Sequence, residues 1–238
     1  MKNSFLKDWN KLEKVLLFGS IVAITFVGII FKSDFLTTIC SIVGIITALL
    51  LAKGKKLGQI FGLLIVFLYS IVSCRNWYYG EVIIYIVIML PMYITGIISW
   101  IKHQNKETNS VEVNEIKKKE WIILFFVSIA CFIGIYFMLK IFNTSQLFIS
   151  SLSVIDSLFA IYLGVRRSKY SFYFYVINDI ILILLWGIPV ISGALILIPM
   201  VFNPLINLIN DIYGIYNWKK LEKVQAENKS RKGKEIER

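Results

Sequence analysis

The stretch KYSFYFYVINDIILILLW, from Lys169 to Trp186, holds the residues best suited to grip a small molecule. Phe172, Tyr175 and Asp179 stand three and four residues apart, and on a helix neighbours at those spacings stack along one face. Two rings beside a carboxylate make a pocket for a flat ligand, the rings offering apolar faces and the acid an anchor. The segment is otherwise apolar for a membrane's thickness. A carboxylate exposed to lipid costs several kcal/mol, so Asp179 is expected to face protein or a watery cavity. The purely structural alternative has Asp179 capping or pairing within a bundle, with the rings as packing.

The rest of the chain offers little competing chemistry. Cys40, Cys74 and Cys131 lie in or beside apolar segments without metal-ligand spacing and read as small packing residues. His103 sits among Lys102, Gln104 and Lys106 in a charged loop. Without clustered His, Cys or carboxylates no metal or other cofactor is expected. The lack of GxGxxG, Walker A and GxSxG patterns speaks against a nucleotide-driven pump or a hydrolase. An integral membrane enzyme on lipid or isoprenoid substrates would need clustered acids, or a nucleophile with a base. Asp156, Asp179 and Asp211 instead fall singly on three expected helices, so an enzyme is not expected.

Holding such a pocket falls to a membrane bundle. With 57% hydrophobic and only 17% charged residues and a mean hydropathy of +0.71, the chain has too few charges to cover an aqueous surface. Eight apolar segments can be drawn, at about 15–31, 35–52, 58–73, 81–101, 121–142, 146–165, 172–188 and 193–217. The expected fold is therefore an all-α membrane protein of eight transmembrane helices. Charge tests the count, because Lys and Arg gather in cytoplasmic loops. Threaded through eight spans, all of the 26 Lys and Arg except Lys32, Arg75 and Lys140 fall on one side, which places both termini in the cytoplasm. No small-residue cleavage site follows the first apolar run, so that span is expected to be retained. The net charge of +11 is spread over every loop on one face with acids mixed in. Attraction to anionic lipid heads accounts for it, and no nucleic-acid partner is implied. The tail past Trp218 carries too little apolar surface to pack and is expected to fray.

The chain also repeats itself. A shift of 113 lays Lys53 on Arg166, Lys56 on Lys169, Gln59 on Phe172 and Gly62 on Tyr175; a shift of 112 lays Ser41 on Ser153 and Ala48 on Ala160. Gly96 and Trp100 recur as Gly214 and Trp218 at a shift of 118. In order, these matches relate helices two to four to helices six to eight as three-helix units. Both basic loops lie on one side, so the units point the same way and helix five must carry the chain back between them. Parallel repeats of this kind are a transporter architecture, with substrate held near the midplane where the halves meet. Pro91 is expected to kink helix four by leaving the Val87 carbonyl unpaired, and Pro199 and Pro204 to do the same to helix eight. Glu81 is expected to cap the start of helix four, and Trp100, Trp121 and Trp218 to form an interfacial belt.

Taken together, these residues resemble the PnuC family of bacterial vitamin transporters over about residues 40–218. The resemblance rests on the basic loop before Gln59, Phe61, Gly62 and Leu63; on YYGE at Tyr78 to Glu81; and on Pro91 and Met92 with Gly96 and Trp100. It continues through RRSK into Phe172, Tyr175, Asp179 and Trp186, then Gly214 and Trp218. It implies a SWEET-like 3+1+3 bundle that assembles as a homotrimer in the bacterial inner membrane, with an added first helix. The divisions are then 1–34 for the N-terminal segment and extra helix, 35–101 and 146–218 for the repeats, 102–145 for the loop and linker helix, and 219–238 for the basic tail.

The resemblance further implies uptake of nicotinamide riboside by facilitated diffusion, with trapping by a cytoplasmic kinase. Thiamine, riboflavin or a nucleoside is the alternative cargo. The substrate-binding candidates are Gln59, Gly62, Tyr69, Tyr85, Phe172, Tyr175, Asn178, Asp179 and Trp186. The chain departs from the family pattern in having Phe172 and Tyr175 where tryptophans are frequent, Asp179 where asparagine is, and Tyr85 at an expected asparagine. The rings still offer π-faces to a pyridinium cation, and an acid suits one. Asp211, Asn207 and Asn210 are lesser candidates for the path.

Overall fold

The computed structural model describes residues 8–75, 82–105, 107–144 and 146–236. The YYGE motif at 78–81, with the proposed Glu81 cap, lies outside the described residues. Among the described residues eight long helices follow in order: α1 (Lys11–Ile30), α2 (Phe35–Ala52), α3 (Leu57–Arg75), α4 (Ile84–Lys102), α5 (Lys118–Ile141), α6 (Leu147–Val165), α7 (Ser171–Ile191) and α8 (Ile198–Ile236). A two-residue antiparallel hairpin, β1 (Gln104–Asn105) with β2 (Ser110–Val111), links α4 to α5.

Helix ends follow the local sequence. Asn10 and Glu13 form a reciprocal capping box at the start of α1, and the Asp34 carboxylate caps α2. Among the described residues seven helices, α1 to α7, are long and apolar enough to cross a membrane. The chain is thus a multi-pass membrane protein. The drawn boundaries fall within a few residues of most of these. The eighth helix is not among the seven, its apolar run being broken by Asn203, Asn207, Asn210 and Asp211.

Apolar side chains on the outside of the bundle, such as Phe18, Val22, Phe26 and Ile29 on α1 and Ile122, Phe125, Phe126 and Phe137 on α5, are exposed. Such a surface suits lipid contact and would be a liability in water. Inside, Ile45, Leu49 and Leu50 of α2 pack with Trp100, Phe172, Tyr213 and Trp218. A second cluster joins Ile84, Ile135, Leu139 and Ile155, and a third joins Val66, Tyr93 and Ile161 with Tyr85 and Tyr175 beside them.

The two basic loops fold alike. Gly54 and Arg167 both adopt left-handed backbone, at φ of 66° and 58°. Each follows its helix in a Schellman arrangement. Gly54 N–H donates to Leu51 O and Lys55 N–H to Leu50 O; Arg167 N–H donates to Gly164 O and Ser168 N–H to Leu163 O. Side chains then cross between the segments in matching pairs. Ser99 Oγ donates to Val165 O (3.0 Å) and Trp100 Nε1 to Gly164 O (2.8 Å). Reciprocally, Asn217 Nδ2 donates to Ala52 O (2.8 Å) and Trp218 Nε1 to Leu51 O (3.0 Å).

Three expectations are corrected here. Trp100 and Trp218 are not belt residues, being 1% and 0% exposed with both indole N–H groups bonded inside the bundle and their rings 5.8 Å apart. Trp121, in the first turn of α5, is half-buried against Tyr170 and Phe174. The tail does not fray: α8 runs on to Ile236, because Ala, Glu, Lys, Gln and Arg are strong helix formers and the helix finds partners. Lys169 donates to Glu222 (2.7 Å), and the Gln225 amide bonds the backbone of Val111 and Val113. Two of the prolines sit in local settings that the sequence did not foretell. The six residues Ile84–Met89 before Pro91 wind as a π-helix, in which Leu90 N–H reaches Tyr85 O. The wider turn accommodates a following residue that cannot donate. Pro199 falls in the first turn of α8, where its missing N–H has no helical partner to lose. Pro204 lies inside α8, and Pro189, unremarked in the sequence, lies inside α7.

Helix α1 is fastened at the basic end by a buried triad. Glu13 accepts from Lys53 Nζ (2.5 Å) and from the Tyr213 hydroxyl (2.5 Å), and Lys53 also donates to Asp8 O and lies over the Trp9 ring.

Candidate functional site

Phe172, Asn178 and Asp179 are buried on the inner face of α7, with Tyr175 half-buried between them. The spacing that put the expected trio on one face therefore also turns it inward. Asp179 is 5% exposed, and among the described residues no N–H or hydroxyl donates to its Oδ2. Facing it from α8, within hydrogen-bonding reach, is the carboxyl group of buried Asp211. Asp156, near the middle of α6, is close enough to act on Asp179 electrostatically, and its Oδ2 is likewise unpartnered. Asn207 Oδ1 and both amide atoms of Asn210 complete a set of buried α8 groups without partners. Buried polar atoms are nearly always bonded, so a concentration of unpartnered ones marks a place prepared for a ligand.

Aromatic rings border this polar patch. Tyr175 packs beside Tyr93 of α4, and Tyr85 of the same cluster stacks on Tyr69 of α3 with ring centroids 5.8 Å apart. Room for Tyr93 comes from Gly62, where an added Cβ would lie 2.1 Å from the Tyr93 ring. Phe172 uses Gly214 in the same way, at 2.2 Å. Gly62→Ala and Gly214→Ala are each expected to destabilise the protein by about 1–3 kcal/mol through overpacking. Thermal unfolding in detergent, with Gly19→Ala on the open outer face as control, measures this.

The structure divides the expected site by depth. Phe172, Tyr175 and Gln59 lie toward the basic end, the Phe172 and Tyr175 rings 5.8 Å apart. Asp179 lies one turn further along α7, and Tyr85 and Tyr69 stack toward the opposite end. Phe172 is 1% exposed, pressed on Gly214 and tilted against Trp218 at 5.7 Å; Gln59 lies buried against Gly96 with its Oε1 unpartnered. Asn178 is committed to α6, its Nδ2 donating to Ser153 O (2.8 Å) and Oγ (3.2 Å). Trp186 is half-buried seven residues beyond Asp179, about 10 Å further along α7. Asp211, a lesser candidate in the sequence, and Tyr93, not singled out there, lie at the same place. Asn203, Asn207 and Asp211 at successive spacings of four were the signal for a polar stripe on α8.

Unpartnered acids and amides deep in a bundle that is apolar outside are what a multi-pass membrane transporter needs and a mere anchor avoids. The model of the family described as nicotinamide mononucleotide transporter matches residues 34–220, and the chain belongs to that family. It is similar to the nicotinamide riboside transporter PnuC of Neisseria mucosa, 26% identical over 229 residues, covering 93% of this chain and 86% of the relative. The nicotinamide riboside transporter PnuC of Haemophilus influenzae is also 26% identical, over 225 residues, covering 94% of this chain and 96% of the relative. The fold matches the crystal structure of the vitamin B3 transporter PnuC with a TM-score of 0.75 at 24% identity, covering 90% of this chain and 93% of that one.

Proposed function

We propose that the protein carries nicotinamide riboside across the bacterial inner membrane by facilitated diffusion. The observation that carries this reading is Asp179, buried and facing Asp211 within hydrogen-bonding reach; two carboxyls so close share one proton and keep one negative charge beside the rings of Tyr175 and Tyr93. A pyridinium cation is attracted both to carboxylates and to ring faces. The ribose hydroxyls find acceptors in Asp179, Asp211 and Asn207. The family description names the mononucleotide and the relatives the riboside, and the acids favour the riboside. The mononucleotide adds a phosphate that the negative charge of this carboxyl pair repels, and between Leu57 and Cys74, Leu147 and Val165, and Ile198 and Trp218 the sequence has no Lys or Arg to offset it.

The reciprocal bonds of Trp100 and Trp218, with the matching loops around Gly54 and Arg167, support a 3+1+3 arrangement: α2 to α4, the reversing helix α5, and α6 to α8, with α1 added. In this reading α8 is an eighth span, the basic end is cytoplasmic, both termini lie there, and a homotrimer is the assembly implied by the resemblance. With no nucleotide-binding motif in the sequence, accumulation in this reading depends on a kinase phosphorylating the vitamin inside the cell. Thiamine is the second reading, favoured by the same fixed positive charge. Liposomes containing the purified protein should take up labelled nicotinamide riboside saturably and exclude the mononucleotide. Entry of neither riboside nor thiamine sinks the carrier reading, and entry of thiamine alone reassigns the cargo.

A further inference from the structure

A carrier built from two like units must part them on one side to release its cargo, and the basic end shows what holds them together there. Four side-chain bonds cross between the units at that end, from Ser99, Trp100, Asn217 and Trp218 to carbonyls of α2 and α6. Each bond of one unit has its counterpart from the other, so neither unit can turn without breaking contacts of both kinds.

Beneath them runs the segment 110–114. Val111 N–H donates to Gly54 O (2.9 Å) and Asn114 N–H to Arg167 O (2.9 Å). Gly54 and Arg167 are the corresponding left-handed residues of the two loops, so this segment is stapled to the same point on each unit. Arg167 doubles its hold by donating through Nε to Glu112 O and through Nη1 to Ser99 Oγ. Gln225 of α8 pins the segment from outside, accepting from Val113 N–H and donating to Val111 O. Val111 is in consequence 2% exposed. Its partners are mostly backbone groups in loops, each bond adding little, which suits a contact that must break and re-form.

We propose that the inner gate of this carrier is the four-bond belt made by Ser99, Trp100, Asn217 and Trp218, latched from below by residues 110–114, and that the latch leaves at least one loop whenever substrate is released inward. The proposal rests on the carrier reading and goes beyond it in naming the residues that move. Trp100 and Trp218 are then positioning residues, holding the closed state without touching substrate.

The test uses Val111→Cys in a full-length chain with Cys40, Cys74 and Cys131 replaced by alanine, in liposomes with the basic end facing a membrane-impermeant maleimide. Labelling is expected to be slow at rest and about tenfold faster while a nicotinamide riboside gradient drives uptake. A second arm needs no substrate. Trp100→Phe with Trp218→Phe keeps an aromatic ring at each place and removes both N–H donors, and should speed resting labelling about tenfold through the loss of two hydrogen bonds and some packing. Uptake at the parent rate with no faster labelling overturns the proposal and makes the segment a permanent staple. Unchanged resting labelling in the folded double-Phe variant overturns it equally. Absence of riboside uptake counts against the cargo assignment alone, and the substrate-free arm still decides the gate.

Discussion

Asp179→Ala is expected to weaken nicotinamide riboside binding by about 2–5 kcal/mol, the cost of removing one buried partner from a charge pair. That is a loss of tens to thousands of fold in affinity. The variant should still fold, because Asp179 faces Asp211 and Asp156, not a cation, so its removal strands no buried positive charge. Calorimetric titration of the purified variant with riboside measures the loss, with thermal unfolding as the check on folding. Asp211→Asn, which keeps the shape and removes the charge, should weaken the cation in the same direction but less. Unchanged affinity in Asp179→Ala would move the binding site elsewhere, and equal loss for a neutral nucleoside would remove charge as the cause.

Lys53→Met is expected to destabilise the protein by about 3–5 kcal/mol, because it strands the Glu13 carboxylate in a buried place. Lys53 and Glu13 have side chains 7% and 4% exposed, and the ion pair is the point where α1, the first basic loop and α8 meet. Adding Glu13→Gln to Lys53→Met should restore most of the loss, since the amide needs no counter-charge and still accepts from Tyr213. Denaturant unfolding of the single and double variants gives the coupling directly. Additive effects would mean that the pair contributes nothing as a pair.

Much of this architecture was legible in the chain, and for a definite reason. Apolar runs of membrane length between charged loops allow few alternatives, so the spans from Phe35 to Ala52 and from Leu147 to Val165 could be read almost to the residue. Asp179 could be turned inward from cost alone. What the sequence did not carry was pairing. A tryptophan at the end of a span satisfies an interfacial belt as well as a buried bond, and nothing local says that Trp218 will meet the Leu51 carbonyl. The tail misled similarly: its charges read as solvated, but Glu222 and Gln225 have partners in the Lys169 loop and in segment 110–114, more than 50 residues away. Around Pro91 the missing donor was evident, but not the widened winding of Ile84–Met89, which packs against α3, α5 and α6.

The unbroken course of α8 has a mechanical consequence. From Trp218 to Ile236 the helix projects about 27 Å beyond the last tryptophan at 1.5 Å per residue. A stiff rod anchored in one moving body works as a pointer: a swing of about 10° in its embedded part carries its tip about 5 Å sideways over that length. Spin labels near that tip and on a fixed helix would therefore read small rotations of the core as displacements large enough to resolve.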